Sequence, residues 1–213
     1  MNRLDPASGA CPGTITALRS SSMIANRKTV KRRHEHGDFH ELTFSCYRRL
    51  PLLTNEEWRQ LLAESLDRAT QGHSCRLVAY VFMPEHVHIL VQPTTNGFRV
   101  DLLLKAMKAP FSARIKRRLE DAASPLRERL TVRERPGVDR FRFWQEGGGY
   151  DRTLRSVEAA IAYIHENPVR RRLCERPTDW WWSSARHYRE GYQGSMRPDG
   201  PPTIHGSTWD FFL

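Results

Sequence analysis

The residues in this chain best placed to do chemistry together are His86 and His88, in the stretch VFMPEHVHILV, residues 81–91. On a strand, side chains alternate between faces, so both imidazoles project to one side, roughly 6 to 7 Å apart, while Val87 points to the other. Two imidazoles so placed can share one metal ion. The spacing by itself is a weak signal. Among nine histidines about 0.4 such pairs arise by chance, and a second pair, His34 with His36, sits in a segment with no predicted scaffold. The strand pair differs because an apolar run holds it. Burying two imidazoles is unfavourable unless each is hydrogen-bonded or ligating.

A second stretch, AAIAYIHENPVRRRL at 159–173, carries a tyrosine near the end of a helix pattern. Ala160, Ile161 and Ile164 recur at the spacing of a buried stripe. Taken alone, Tyr163 reads as an amphipathic packing residue with its hydroxyl at the edge of water. Asn167, four residues on, shares its face if the helix persists. Because Pro168 disfavours helical geometry in the residue before it, Asn167 is expected to close the helix, its amide free to point toward the sheet.

The elements that must position these groups follow from periodicity. A strand is predicted at 39–48 (FHELTFSCYR), then a helix capped by Asn55, with Trp58, Leu61, Leu62, Ser65 and Leu66 on one apolar face. RLVAYVFM and HVHILVQ flank Pro84-Glu85 as a hairpin. A second helix is predicted at about 98–119, an aromatic strand at RFRFWQ, and a third helix from about Thr153 to Glu166. The order β-α-β-β-α-β defines an α+β class: a ferredoxin-like antiparallel sheet with helices on one face, plus an appended C-terminal helix carrying the tyrosine.

Residues 1–37 form an expected flexible basic arm ending in NRKTVKRRHEHGD, residues 38–190 the folded unit, and residues 191–213 an irregular Gly/Pro-rich tail. The 34 Lys and Arg against 24 Asp and Glu give a net charge of +10, which makes a polyanion the first partner to consider. No apolar run reaches the roughly 18 residues of a spanning helix, so a cytoplasmic, membrane-free protein is expected. Cys11, Cys46, Cys75 and Cys174 form no C-x-x-C pair, which argues against a thiolate zinc site and a disulfide framework.

FMPEHVHILV, FWQEGGGYDRTLRS, YIHENPVRRRL and WWWSSARHY, in this order, resemble the REP-associated tyrosine transposases of the HUH single-tyrosine transposase superfamily, over roughly residues 38–190. Trp181 stands where that family usually has proline. The glycine run Gly147–Gly149 is similar to one branch of the family, and the long basic arm is unusual for it. The resemblance implies that His86 and His88 are metal ligands and Tyr163 the nucleophile. It implies Asn167 as a third ligand, a role for which His165 and Glu166 compete. It also implies a bacterial, nucleoid-associated protein, with a monomer favoured and a dimer possible.

A tyrosine hydroxyl is a poor nucleophile at neutral pH, so an activating group is needed. A divalent ion, Mg²⁺ or Mn²⁺, suits a site of imidazole, amide and phosphate oxygen. The function that the resemblance implies is metal-dependent cleavage and strand transfer of single-stranded or hairpin DNA at repetitive palindromic elements, through a 5′-phosphotyrosine. Lys105, Lys108, Arg114, Lys116, Arg117 and Arg118 on the second helix, with Arg170, Arg171 and Arg172 after the tyrosine, are candidate DNA contacts. Core packing is the favoured role for the tryptophans 180–182, ahead of base stacking. The runner-up is a non-catalytic hairpin DNA or RNA binding protein, such as a domesticated regulator. A third reading is a nuclease that uses water in place of tyrosine.

Overall fold

Alternating apolar residues in the two longest strands decide the architecture, because both faces of the sheet are covered. In the computed structural model, which describes residues 38–147, 150–153 and 156–188, β1 (His40–Ser45) leads through two 3-10 turns (Tyr47–Arg49 and Leu52–Thr54) to α1 (Glu56–Gly72). Strands β2 (Cys75–Phe82) and β3 (His86–Pro93) form the hairpin, and α2 (Val100–Asp121) follows. A short α3 (Pro125–Arg129) precedes a separate two-stranded ribbon, β4 (Thr131–Arg135) and β5 (Val138–Phe141). Then come β6 (Tyr150–Thr153) and α4 (Val157–Arg170). The expected arm at 1–37, the tail from 191 and Gly148-Gly149 lie outside the described residues.

The main sheet has the order β2-β3-β1-β6, with every pair antiparallel. This is the predicted ferredoxin-like arrangement, with one correction. The fourth strand is Tyr150–Thr153, paired with β1, and not RFRFWQ. That aromatic stretch is divided: part of it pairs with β4, Phe143 and Trp144 enter the core, and Trp144 forms a lone bridge to Cys46. Strand-favouring aromatics mark burial as readily as a strand.

One face of the sheet, with Leu42, Phe44, Tyr80, Phe82, Val87, Ile89 and Val91, packs on α1 and α2. All five predicted positions of α1 are buried, and the Asn55 side chain accepts from Trp58 N at 3.0 Å as the cap. The other face presents Val78, Ala79, Val81, Met83 and Leu90 to Ala160, Ile161 and Ile164 of α4. A register shift between Leu77 and Ala79 lets Val78 and Ala79 both face α4. Ile164 is fully buried there; burial of a side chain of this size stabilises by about 1.5–3 kcal/mol and fixes the height of Tyr163 over the sheet.

The segment WWWSS closes the outer edge of β2. Phe82 N donates to Trp182 O (2.8 Å) and Tyr80 N to Ser184 Oγ (2.9 Å), while Trp180 Nε1 donates to Phe82 O (3.1 Å). An edge strand is thereby shielded from pairing with another chain. Trp182 is buried against Phe82, so the tryptophans take the packing role. Cys46, Cys75 and Cys174 are free thiols, and no helix among the described residues is long and apolar enough to cross a membrane.

Candidate active site

The register of β1 against β3 builds the site. Ser45 lies opposite His86 and Thr43 opposite His88, so the polar positions Glu41, Thr43 and Ser45 share the histidines' face. His86 and His88 are both buried, and their Nε2 atoms lie 3.1 Å apart.

The outer nitrogens are held from behind. Glu85 Oε1 is 3.2 Å from His86 Nδ1; a carboxylate can only accept, so Nδ1 carries the proton and the Nε2 lone pair faces inward. Burial, then the neighbouring His88, lowers the His86 pKa to about 4, which leaves the ring neutral and able to ligate at neutral pH. Thr43 Oγ1 lies 2.8 Å from His88 Nδ1, with Glu41 Oε1 3.7 Å from the same nitrogen. If both rings carry the proton on Nδ1, two lone pairs meet at 3.1 Å, an arrangement that a cation between them stabilises.

These groups fit a divalent ion. Adjacent donors about an octahedral ion with bonds near 2.1 Å stand about 3 Å apart, which matches the observed Nε2 separation. Outer-nitrogen partners of this kind are what fix ligand orientation in metal sites. Among the described residues no three His, Cys, Asp or Glu side chains form a metal-binding group.

Tyr163 comes to this face from α4. Its ring meets that of His88 edge-on, with centroids 5.6 Å apart and planes at 88°, and it remains 37% exposed, so a substrate can reach it. The Arg170 guanidinium stands 5.1 Å from the Tyr163 ring centroid. Helix α4 is capped by Ser156, whose side chain accepts from Ala159 N (3.2 Å).

The expectation for Asn167 is corrected. Helix α4 runs through Pro168 to Arg170, and Asn167 is buried inside it, donating from Nδ2 to Tyr163 O at 3.0 Å. Proline removes only one donor near the helix end, and Arg171 N closes the last turn on Asn167 O (3.1 Å). With its amide nitrogen engaged, Asn167 keeps Oδ1 as its acceptor. His165, a competing ligand by sequence, is turned away: its Nε2 lies 2.8 Å from Ser184 Oγ.

Four further residues, not predicted from sequence, complete the surroundings. Buried Glu85 receives Arg171 Nη1 (2.8 Å) and Arg49 Nη2 (3.4 Å) besides His86. Burial opposes its charge, but the Arg171 hydrogen bond and the charges of His86 and Arg171 outweigh this and hold its carboxyl below the ordinary range. Glu41 and Thr43 had a readable signal in the polar alternation of HELTFS. Arg49 and Glu85 had none, since their contact joins loops far apart in sequence.

Of the candidate DNA contacts, Arg170 and Arg171 belong to this site, and Arg172 follows them, exposed. The second-helix group lies on α2, which packs on the opposite face of the sheet. There Arg114 pairs with Glu64 (2.8 Å), Lys116 with Glu120 (3.7 Å) and Arg118 with Glu57. Lys108 lies over the Phe44 ring, and burial lowers its pKa to about 8. Lys105 and Arg117 are exposed.

A family model described as "Transposase IS200 like" matches residues 35–131, a stretch that contains both histidines. No curated protein matches the chain. Among solved structures, a REP-associated tyrosine transposase bound to a REP hairpin aligns over 80% of this chain and 94% of its own, at 18% identity and a TM-score of 0.53. A protein described as a transposase from Deinococcus radiodurans R1 aligns over 65% of this chain and 94% of its own, at 20% identity and a TM-score of 0.41. The fold is shared with the hairpin-bound transposase, and the IS200-like match covers the paired histidines of the site.

Proposed function

We propose that this protein is a transposase of the REP-associated type, which cleaves single-stranded DNA beside a hairpin and rejoins it through a 5′-phosphotyrosine on Tyr163. The observation that carries this reading is the edge-on placement of the Tyr163 ring against His88, on the face where the two Nε2 atoms converge. The solved relative bound to a REP hairpin supports the choice of substrate, as does the net charge of +10.

His86 and His88 would hold a Mg²⁺ or Mn²⁺ ion, with Asn167 Oδ1 as a third donor; when bound, the ion supplies positive charge to a non-bridging phosphate oxygen. Glu85 and Thr43 keep the two rings turned so that Nε2 faces the substrate. Tyr163 attacks phosphorus in line: the Oη–P bond forms, the P–O3′ bond breaks, and the departing oxygen ends as a 3′-hydroxyl. Because the new phosphodiester keeps the energy of the old one, a second 3′-hydroxyl can displace Tyr163 and reseal a strand without ATP. The placement of Tyr163 beside His88 of the same chain supports a monomer. Arg170, Arg172, Lys105 and Arg117 are the cations proposed to follow the DNA backbone around residues 38–190, the catalytic unit.

The test is incubation of wild type and Tyr163→Phe with end-labelled hairpin oligonucleotides and Mn²⁺, resolved on denaturing gels. Wild type forms a protein-linked fragment that chelator abolishes, and Tyr163→Phe binds DNA without forming it. Cleavage undiminished in Tyr163→Phe would point to water as the nucleophile.

A further inference from the structure

Arg48 and Arg49 adopt φ of 51° and 53°, two consecutive non-glycine residues in the left-handed region, where side chains are disfavoured. The turn is fixed on both sides. Tyr47 N donates to Phe143 O (2.7 Å), Arg49 N to Cys46 O (2.9 Å) and Leu50 N to Tyr47 O (3.1 Å), and Arg48 N donates to Gln145 Oε1 (3.1 Å). Backbone strain of this kind persists only where the surroundings over-determine it, and it gathers at ligand clamps.

This conformation brings Arg49 to Glu85. Arg171, from the end of α4, reaches the same oxygen, Oε1. One carboxylate thus holds two guanidiniums, beside His86. The Arg49 side chain is 62% exposed and that of Arg171 50%, against 9% for Glu85. A guanidinium has five N–H donors, and Glu85 occupies one on each, leaving the outer edges open to solvent with a net positive charge. A second exposed arginine on a carboxylate already paired adds little stability, so a strained turn is poorly explained by ion pairing alone.

We propose that Arg49 and Arg171, held by Glu85, form a preorganised clamp for a DNA backbone phosphate next to the one at His86 and His88. The clamp rests on the active-site reading above for its substrate. Planar guanidiniums fixed along one edge offer paired N–H donors to phosphate along the other. Because Glu85 also holds His86, the clamped phosphate and the histidine pair are set in one register.

The test measures binding, in full-length protein carrying Tyr163→Phe, of a fluorescein-labelled hairpin oligonucleotide with a single-stranded flank. Adding Arg49→Gly, which relieves the strained backbone while removing the guanidinium, is expected to weaken binding about tenfold. It should also reduce the slope of log affinity against log salt by about 0.7, one single-strand phosphate. Arg49→Lys, which keeps the charge and loses the fork, should fall between. A methylphosphonate moved along the flank should weaken the parent at one position and add nothing to Arg49→Gly there. Mn²⁺ affinity should stay at the parent value. Unchanged affinity and slope, or additive losses at every position, would overturn the clamp. So would a fall in Mn²⁺ affinity matching the loss of DNA, which would assign Arg49 to holding His86. Failure of the active-site reading appears separately, as absence of adduct in protein with Tyr163 intact.

Discussion

In the proposed site, His86 and His88 are oriented as a pair because each has a partner behind it. Glu85 fixes the proton on His86 Nδ1, and the Thr43 hydroxyl, 2.8 Å from His88 Nδ1, holds the orientation of the second ring. Thr43→Val removes the hydroxyl at nearly constant shape, and Mn²⁺ affinity measured by calorimetry should fall about tenfold; an unchanged affinity would remove Thr43 from the orienting role. Strand alternation was enough to put both histidines on one face from sequence. The 3.1 Å approach of their Nε2 atoms was not legible, since ring orientation depends on Thr43 and Glu85. Asn167 shows the opposite failure. A local rule about Pro168 suggested a helix end, but near a C-terminus one missing donor is tolerated, and the helix carries Asn167 onward as a buried residue donating to Tyr163 O.

Helix α4 is the element on which the proposed catalysis depends, because its apolar stripe sets where Tyr163 stands. That stripe, Ala160, Ile161 and Ile164, was readable at helical spacing, as was the hairpin that carries the histidines. The fourth strand was misread because Tyr-Asp-Arg-Thr lacks apolar alternation; it adds to the sheet through backbone pairing with β1, whereas the more strand-like RFRFWQ supplies aromatics to the core. His165 ties α4 to the segment covering the β2 edge through Ser184 Oγ, and burial, followed by the nearby His187, lowers its pKa to about 4. The unfolded chain takes up this proton near pH 6.5 and the folded chain only near pH 4. Its contribution is therefore complete above 6.5 and lost as pH falls between those values. From pH 7 to 5 it should cost roughly 2 kcal/mol of stability. Urea unfolding at the two pH values should show that loss in wild type and a smaller one in His165→Gln; equal losses would contradict it.

Across the whole molecule the net charge of +10 is not spread evenly over function. Composition suggested a polyanion partner, yet it could not tell cations that are free for DNA from those tied into the fold, such as Arg114 on Glu64. Arg172→Ala should lower the salt slope of hairpin binding by about 0.7, while Arg114→Ala should leave the slope unchanged and cost at most about 1 kcal/mol of stability. Fluorescence anisotropy from 50 to about 300 mM salt separates the two, and equal slopes would undo the distinction. Tyr163, beside the histidine pair, is proposed to become covalently joined to DNA. The most direct measurement is mass spectrometry of the tryptic fragment 156–170, whose single tyrosine is Tyr163, after reaction with a hairpin oligonucleotide and nuclease trimming. This peptide should gain a 5′-linked nucleotide in wild type and not in His86→Ala. A nucleotide on any other peptide, or cleavage with no peptide modified, would contradict it.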